Sequence, residues 1–345
     1  MKKLLSRKEM EMIFRVIIIV ISFTSLAEIS YAENIIIRTN ADVIYAEKIL
    51  AHGGAGISVL IKPNTYTITE TFRINRSNVT INAEKGAKFV IADSKNRPVI
   101  SIGSQEPTPT YAIENISIKG IEIDGNKAKQ QSETDPRFPY IRNNGIDVRG
   151  VKNLTLENVV SRNARSGGLV ISYGCLNVFV KDSIFSDNQF DGVAYYTSQN
   201  VFTTNCYINN NGASGISIDN DLQDCMFSGC LLDSNKDNGV FARSSSQIRF
   251  FNVSIQNSTN YAIFLGENTD WSDINKQGVH DIMFSGCHFL NNCTNNKNTN
   301  SIYVGSDALS SNISIVSSVF YEPLIPGPVY QSSGTKIWDA GNIIQ

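Results

Sequence analysis

Helical periodicity is nearly absent from this chain. Past residue 32, only positions 41–52 space apolar residues as an amphipathic helix does, and a helical fold is thereby excluded. Six cysteines include no Cys-x-x-Cys pair, so a structural zinc site is not expected. The net charge is −2 and no basic stripe appears, which argues against nucleic acid as a partner. Beyond the first 32 residues no stretch is apolar enough to cross a bilayer. The Leu/Asn framework of a leucine-rich repeat is also missing.

What is present is a repeat. Gly145-Ile-Asp-Val, Gly168-Leu-Val-Ile, Gly192-Val-Ala-Tyr, Gly215-Ile-Ser-Ile, Gly239-Val-Phe-Ala and Ala262-Ile-Phe-Leu follow one another every 23 or 24 residues. A fixed period of that size is the mark of a solenoid. Each unit alternates apolar and polar residues at period two, which means strands. Two or three short strands per unit predict an all-β, right-handed parallel β-helix of about ten coils, spaced ~4.8 Å apart. Asn163, Asn188, Asn211, Asn235 and Asn257 recur near one phase and predict a stacked Asn ladder. Cys206, Cys230 and Cys287 share a column with Val159, Ser183 and Val253, so buried free thiols are expected.

The ends differ from the middle. Lys2, Lys3, Arg7, Lys8 and Arg15 precede an apolar run from Val16 to Ile21, and Ser30-Tyr-Ala32 supplies a small-residue cleavage site. That pattern reads as a signal peptide over 1–32, and the mature protein is expected to be periplasmic or extracellular, with no stable membrane insertion. Residues 33–345 then form one domain. Val43, Ile44, Leu50 and Ala51 are expected to form the apolar face of a helix near 41–52 that caps one end of the core. The tail over 322–345, rich in proline, is expected to leave the repeat and cap the other end. Two segments interrupt the rhythm, 125–143 and 267–279. Insertions in solenoids become loops on one face, usually the face that binds. The first is basic and aromatic, with Lys127, Lys129, Arg137, Tyr140 and Arg142, a composition that suits an acidic sugar.

Register turns the repeat into columns. With Gly145 and its equivalents aligned, positions +1 and +3 point inward and +2 and +4 outward. The +2 column reads Asp147, Val170, Ala194, Ser217, Phe241, and the +4 column reads Arg149, Ser172, Tyr196, Asp219, Arg243. Acid, base, phenol and hydroxyl groups on successive coils suit an elongated polymer. A glycosidase needs two carboxyls ~5.5 Å or ~6.5–9.5 Å apart. Asp147 and Asp219 lie three coils apart, ~14 Å, so only Asp219 and Asp221 are close enough, and Asp221 begins a turn. Proton abstraction beside a uronate needs a cation, a base and an acid. Arg149, Arg243 or Lys127 serve as the cation, and Tyr196 serves in proton transfer if a nearby cation lowers its pKa. A plain ion pair between Asp219 and Arg243 beside a packed Tyr196 is the alternative for that trio.

The phrases Ile121-Glu-Ile-Asp-Gly-Asn-Lys, Asn144-Gly-Ile-Asp-Val-Arg and Asn153-Leu-Thr-Leu-Glu-Asn resemble the pectate-lyase-like β-helix superfamily. The closer likeness is to the β-helix module of mannuronan C5-epimerases, whose motif reads Gly-aromatic-Asp-Pro-His-acid. Asp147 matches the motif aspartate, while Val148 replaces its proline, Arg149 its histidine, and Asn144 a preceding tyrosine. Asp191 stands where the second family histidine would be, and His52, His280 and His288 all lie outside the motif. The resemblance implies action on an acidic polysaccharide by lyase- or epimerase-like chemistry.

The catalytic candidates are therefore Asp147, Arg149, Tyr196 and Lys127. The substrate-binding candidates are Asn144, Ser172, Asp191, Asp219, Arg243 and Arg142. A non-catalytic polysaccharide-binding or assembly protein and a two-carboxylate hydrolase are the competing readings. No cofactor is expected, with Ca2+ an alternative at Asp219, Asp221 and Asp224, where oxygen ligands cluster near one turn. Three acids in a turn are more often simply solvated.

Overall fold

The computed structural model describes residues 33–109, 112–135, 137–266, 278–295, 297–298, 300–305, 311–325, 330–332 and 337–345. The expected signal peptide and the acids and tryptophan of the second insertion lie outside them. The chain winds through three parallel sheets of 12, 11 and 10 strands among the described residues. One coil runs Val151–Glu157, Val160–Arg162 and Leu169–Ser172, and each strand pairs with its equivalent in the next coil. The repeated phrases form successive strands of the ten-stranded sheet, with Ile146, Leu169, Val193, Ile216, Val240 and Ile263 in one register. The period thus maps onto a parallel β-helix, as the alternation requires.

Positions +1 and +3 fill the core, as Ile146, Val148, Leu169 and Ile171 show, each fully buried. Aromatics stack inside it along the axis: Phe227, Phe250 and Phe284 lie 4.8 and 4.5 Å apart, nearly parallel. The repeated glycine has a steric cause. A Cβ at Gly192 would lie 2.3 Å from Ile208 Cγ2, 2.6 Å from Asn211 Nδ2 and 2.9 Å from the Gly215 carbonyl oxygen. We expect Gly192→Ala to lower stability by about 1–3 kcal/mol, the usual cost of overpacking, read as a lower denaturant midpoint.

The Asn ladder is real but shorter and differently phased than expected. Asn188 Nδ2 donates to Asn211 Oδ1 (2.9 Å), and Asn211 Nδ2 donates to Asn235 Oδ1 (3.0 Å). Ala164 and Ser258 occupy the same column, and their amides donate to Asn188 Oδ1 and Asn292 Oδ1. Asn163 and Asn257 stand one residue earlier, in a left-handed column at φ 54° and 55° with Asp187, Asn210 and Ser234. Neighbouring columns both favour Asn, one for its amide and the other for its tolerance of positive φ. The ladder ends on Glu322, which accepts from the Asn292 amide and Nδ2 and from Ser301 Oγ.

All six cysteines are buried and free, in agreement with the sequence reading. Helix α1, Asn40–Leu50, starts on a Thr39–Asp42 capping box and buries Val43, Ala46 and Leu50. Ile44, expected on that face, is half exposed, and Ala46 takes its place. The tail does not leave the repeat after Tyr321. Strands Tyr330–Ser332, Ile337–Ala340 and Ile343–Ile344 add a further layer to the three sheets, because their residues still match the register.

Candidate functional site

The outer side of the ten-stranded sheet carries a cleft of about 820 Å³. Nine of the ten candidates line it: Asn144, Asp147, Arg149, Ser172, Asp191, Tyr196, Asp219, Arg243 and Arg142. Lys127 does not. It sits in a 3-10 turn, Lys127–Lys129, and its ammonium is held by the Asp187 carbonyl beyond the end of a strand of the eleven-stranded sheet. A cation bound there does not reach a sugar on the cleft floor.

The floor is not the open outer face that alternation suggests. Asp147 is 4% exposed, Arg149 2% and Asp219 3%. The first insertion supplies part of the cover, since Pro139, Tyr140 and Arg142 form one wall. Gly167 lies between the Asn144 and Asp191 layers, and its amide donates to Asn144 Oδ1 (3.0 Å). A side chain at that layer would narrow the floor between the two acids.

Two carboxyls there are strongly perturbed. Burial raises the pKa of Asp147 to about 6, against the opposing effects of Arg149 and of Asn144. Asn144 Nδ2 donates to Asp147 Oδ2 (2.8 Å), while Oδ1 is buried with no hydrogen-bond partner. Burial raises Asp191 to about 7; the Ser214 amide opposes this, Asp237 adds to it, and Arg142 opposes it. The Ser214 amide reaches Asp191 Oδ1 at 2.9 Å. Both values fall where a carboxyl exchanges protons near neutral pH.

Tyr196 behaves otherwise than expected. Burial, with Asp191 nearby, pushes its pKa up to about 12. Arg142 opposes that shift without reversing it, so Tyr196 is not a ready proton carrier. Asp219 and Arg243 form the ion pair, with Nε 2.6 Å from Oδ2, so that alternative describes them correctly. Asp221 accepts from Gln223 and Asp224 from Gln199, so the three turn acids take separate side-chain partners. The same partners leave Asp219 and Asp221 unsuited to act as a hydrolytic pair.

Arg149 also has another role. Its Nη1 and Nη2 donate to the carbonyls of Glu106 (2.7 Å) and Pro107 (3.0 Å), and its Cζ lies 4.3 Å from the Tyr173 ring centroid and 5.6 Å from that of Tyr140. It fastens loops rather than presenting a free cation. Arg142 is the more available cation: its side chain is 56% exposed, rests over Phe190 at 5.4 Å, and has only a 3.5 Å contact with Glu133 as an ion pair. Tyr173, Phe190 and Gly167 also line the cleft, beyond the residues expected from the sequence. A Tyr immediately before Gly174, where the next coil has Thr197, was the one available signal.

Residues 111–276 match the model of the right-handed β-helix region family. In structure the chain is similar to ORF18 of Geobacillus virus E2, with a TM-score of 0.70 and 13% identity over 88% of this chain and 58% of that one. The chain therefore spans less than two thirds of that viral protein. It is similar to the A-module of Azotobacter vinelandii mannuronan C-5 epimerase AlgE6 (TM-score 0.58, 14% identity, 90% of this chain and 96% of that one). It is also similar to an exopolygalacturonase from Thermotoga maritima (TM-score 0.62, 13% identity, 88% and 87%). No curated protein matches it by sequence.

Proposed function

This chain is a right-handed parallel β-helix protein, and on that premise we propose that it is an exported enzyme acting on an acidic polysaccharide. The polymer lies along the cleft, and a proton is moved at a uronate ring. The observation that carries this reading is the pair of cleft carboxyls, buried Asp147 and half-buried Asp191, with pKa values raised to about 6 and about 7. Similarity to an epimerase module and to an exopolygalacturonase supports a carbohydrate substrate. The leader-like first 32 residues support export, and among the described residues no helix is long and apolar enough to cross a membrane.

The split in pKa assigns the roles. Between pH 6 and 7 Asp147 is mostly ionised and Asp191 mostly protonated. Asp147 takes the proton from the carbon beside the uronate carboxylate, while Arg142 pairs with that carboxylate and stabilises the negative charge that develops. In the lyase outcome the electron pair forms a carbon–carbon double bond, the glycosidic C–O bond breaks, and the Asp191 proton goes to the leaving oxygen. In the epimerase outcome no C–O bond breaks: Asp147 keeps the abstracted proton and Asp191 delivers its own to the same carbon from the opposite face.

The test is incubation of the mature protein with a panel of acidic polysaccharides, following ultraviolet absorbance of unsaturated ends and sugar composition together. Either change is expected on at least one polymer, with a rate profile that rises through about pH 6 and falls through about pH 7. Reducing ends without unsaturation would instead point to hydrolysis. Binding with no product would point to an assembly or adhesion role.

A further inference from the structure

We propose that Tyr173 is a preformed stacking platform for a pyranose ring of the polymer, bound through its apolar C–H face. The proposal rests on the polysaccharide reading above and adds a subsite to it. Tyr173 lines the cleft, yet its ring is 44% exposed. Its backbone lies at φ 58°, in a column of left-handed residues that runs Gly150, Tyr173, Thr197, Asn220 and Ser244. Gly150 and Asn220 fit such a turn at little cost, whereas β-branched Thr197 is strained there as Tyr173 is. A bulky aromatic there is strained by roughly 1–2 kcal/mol, and strain of that kind collects at ligand sites.

The ring is also held in place. Arg149 lies over it, 4.3 Å from guanidinium carbon to ring centroid, and Arg149 is itself tied to the Glu106 and Pro107 carbonyls. One ring face is thus occupied by a fixed cation, and the residue keeps much of its surface exposed where it lines the cleft. A fixed aromatic surface costs little ordering entropy when a ligand lands on it. Arg149 is a positioning residue in this arrangement, acting through the ring and not on the sugar.

The experiment is calorimetric titration of oligouronides into the wild-type protein and into Tyr173→Phe and Tyr173→Asn, with thermal unfolding of each. Asn suits the left-handed turn, so Tyr173→Asn keeps the backbone while removing the ring. We expect Tyr173→Phe to bind as wild type and Tyr173→Asn to bind about tenfold more weakly, the scale of one lost aromatic contact. Its melting temperature should stay level or rise. Equal binding by wild type and Tyr173→Asn would overturn the platform and leave the polysaccharide reading standing. Equal loss in Tyr173→Phe would also overturn it, because the hydroxyl would then be the contact. If wild type binds none of the oligouronides, the platform falls together with the reading on which it rests.

Discussion

Asp191→Asn is expected to lower turnover sharply and to make the protein more stable at neutral pH. The folded chain holds the Asp191 proton up to about pH 7, whereas an unfolded chain releases it near the ordinary carboxyl value of 3.8. Between those limits the unfolded state has lost a proton that the folded state keeps. Stability therefore falls as pH rises from about 4 to 7, and that loss persists above 7. At about 1.4 kcal/mol per pH unit, a shift of this size costs roughly 4 kcal/mol. Asn removes the titration and still accepts from the Ser214 amide through its Oδ1. The denaturant midpoint of the variant should exceed that of wild type at pH 7.5 and coincide with it near pH 4. Asp147→Asn should behave in the same direction by a smaller amount, since its pKa is raised only to about 6. Turnover in both variants should fall by about a hundredfold or more, the usual worth of a general acid or base. Unchanged turnover in either one would remove that residue from the mechanism.

Asn211→Ala is the substitution expected to damage the fold most. Asn211 is fully buried and its side chain makes four hydrogen bonds. Its Oδ1 accepts from the Asn188 amide and Nδ2, and its Nδ2 donates to Asn235 Oδ1 and to the Phe185 carbonyl. Alanine leaves the Asn188 amide and Nδ2 without their acceptor and takes a donor from the Phe185 carbonyl, while Asn235 Oδ1 still accepts from the Asn211 backbone amide. At about 1–3 kcal/mol each, partly relieved by relaxation, the loss should be roughly 4 kcal/mol or more. Asn163→Ala, one column away, should cost only about 1–2 kcal/mol, the price of a left-handed alanine. Guanidinium unfolding of the two variants side by side separates a ladder position from a turn position. Similar losses in both would contradict the phasing.

The contrast between those two asparagines marks where sequence reading stopped. Period and alternation place Ile146 and Val148 inside and Asp147 and Arg149 outside, because side-chain direction along a strand follows from counting. Counting does not separate Asn163 from Ala164, since both columns attract the same residue type for different reasons. Nor does it reveal that Asp147, Arg149 and Asp219 in the outer columns are buried. The walls over Asp147 come from the first insertion, and the carbonyls that hold Arg149 come from Glu106 and Pro107, more than 40 positions earlier. Burial is what raises the two carboxyls, so their acidity was invisible until the cleft had walls. Arg149 looked like the catalytic cation because its column was right and its destination was not on the strand. Lys127 failed for a related reason: the turn after Asp124 carries it toward the eleven-stranded sheet.

The ladder has one more consequence. Asn188 and Asn211 donate toward Asn235, Ser258 interrupts the row, and Asn292 donates on to Glu322, whose carboxylate finishes it by accepting without donating onward. Start and stop are therefore defined, but length is not. A unit of 23 or 24 residues duplicated between Asn211 and Asn235 would find a donor below and an acceptor above, and would lengthen the cleft by ~4.8 Å with both ends untouched. The molecule is built like a ruler that can be cut or extended between its marks, and reach along a polymer is the property such edits would change.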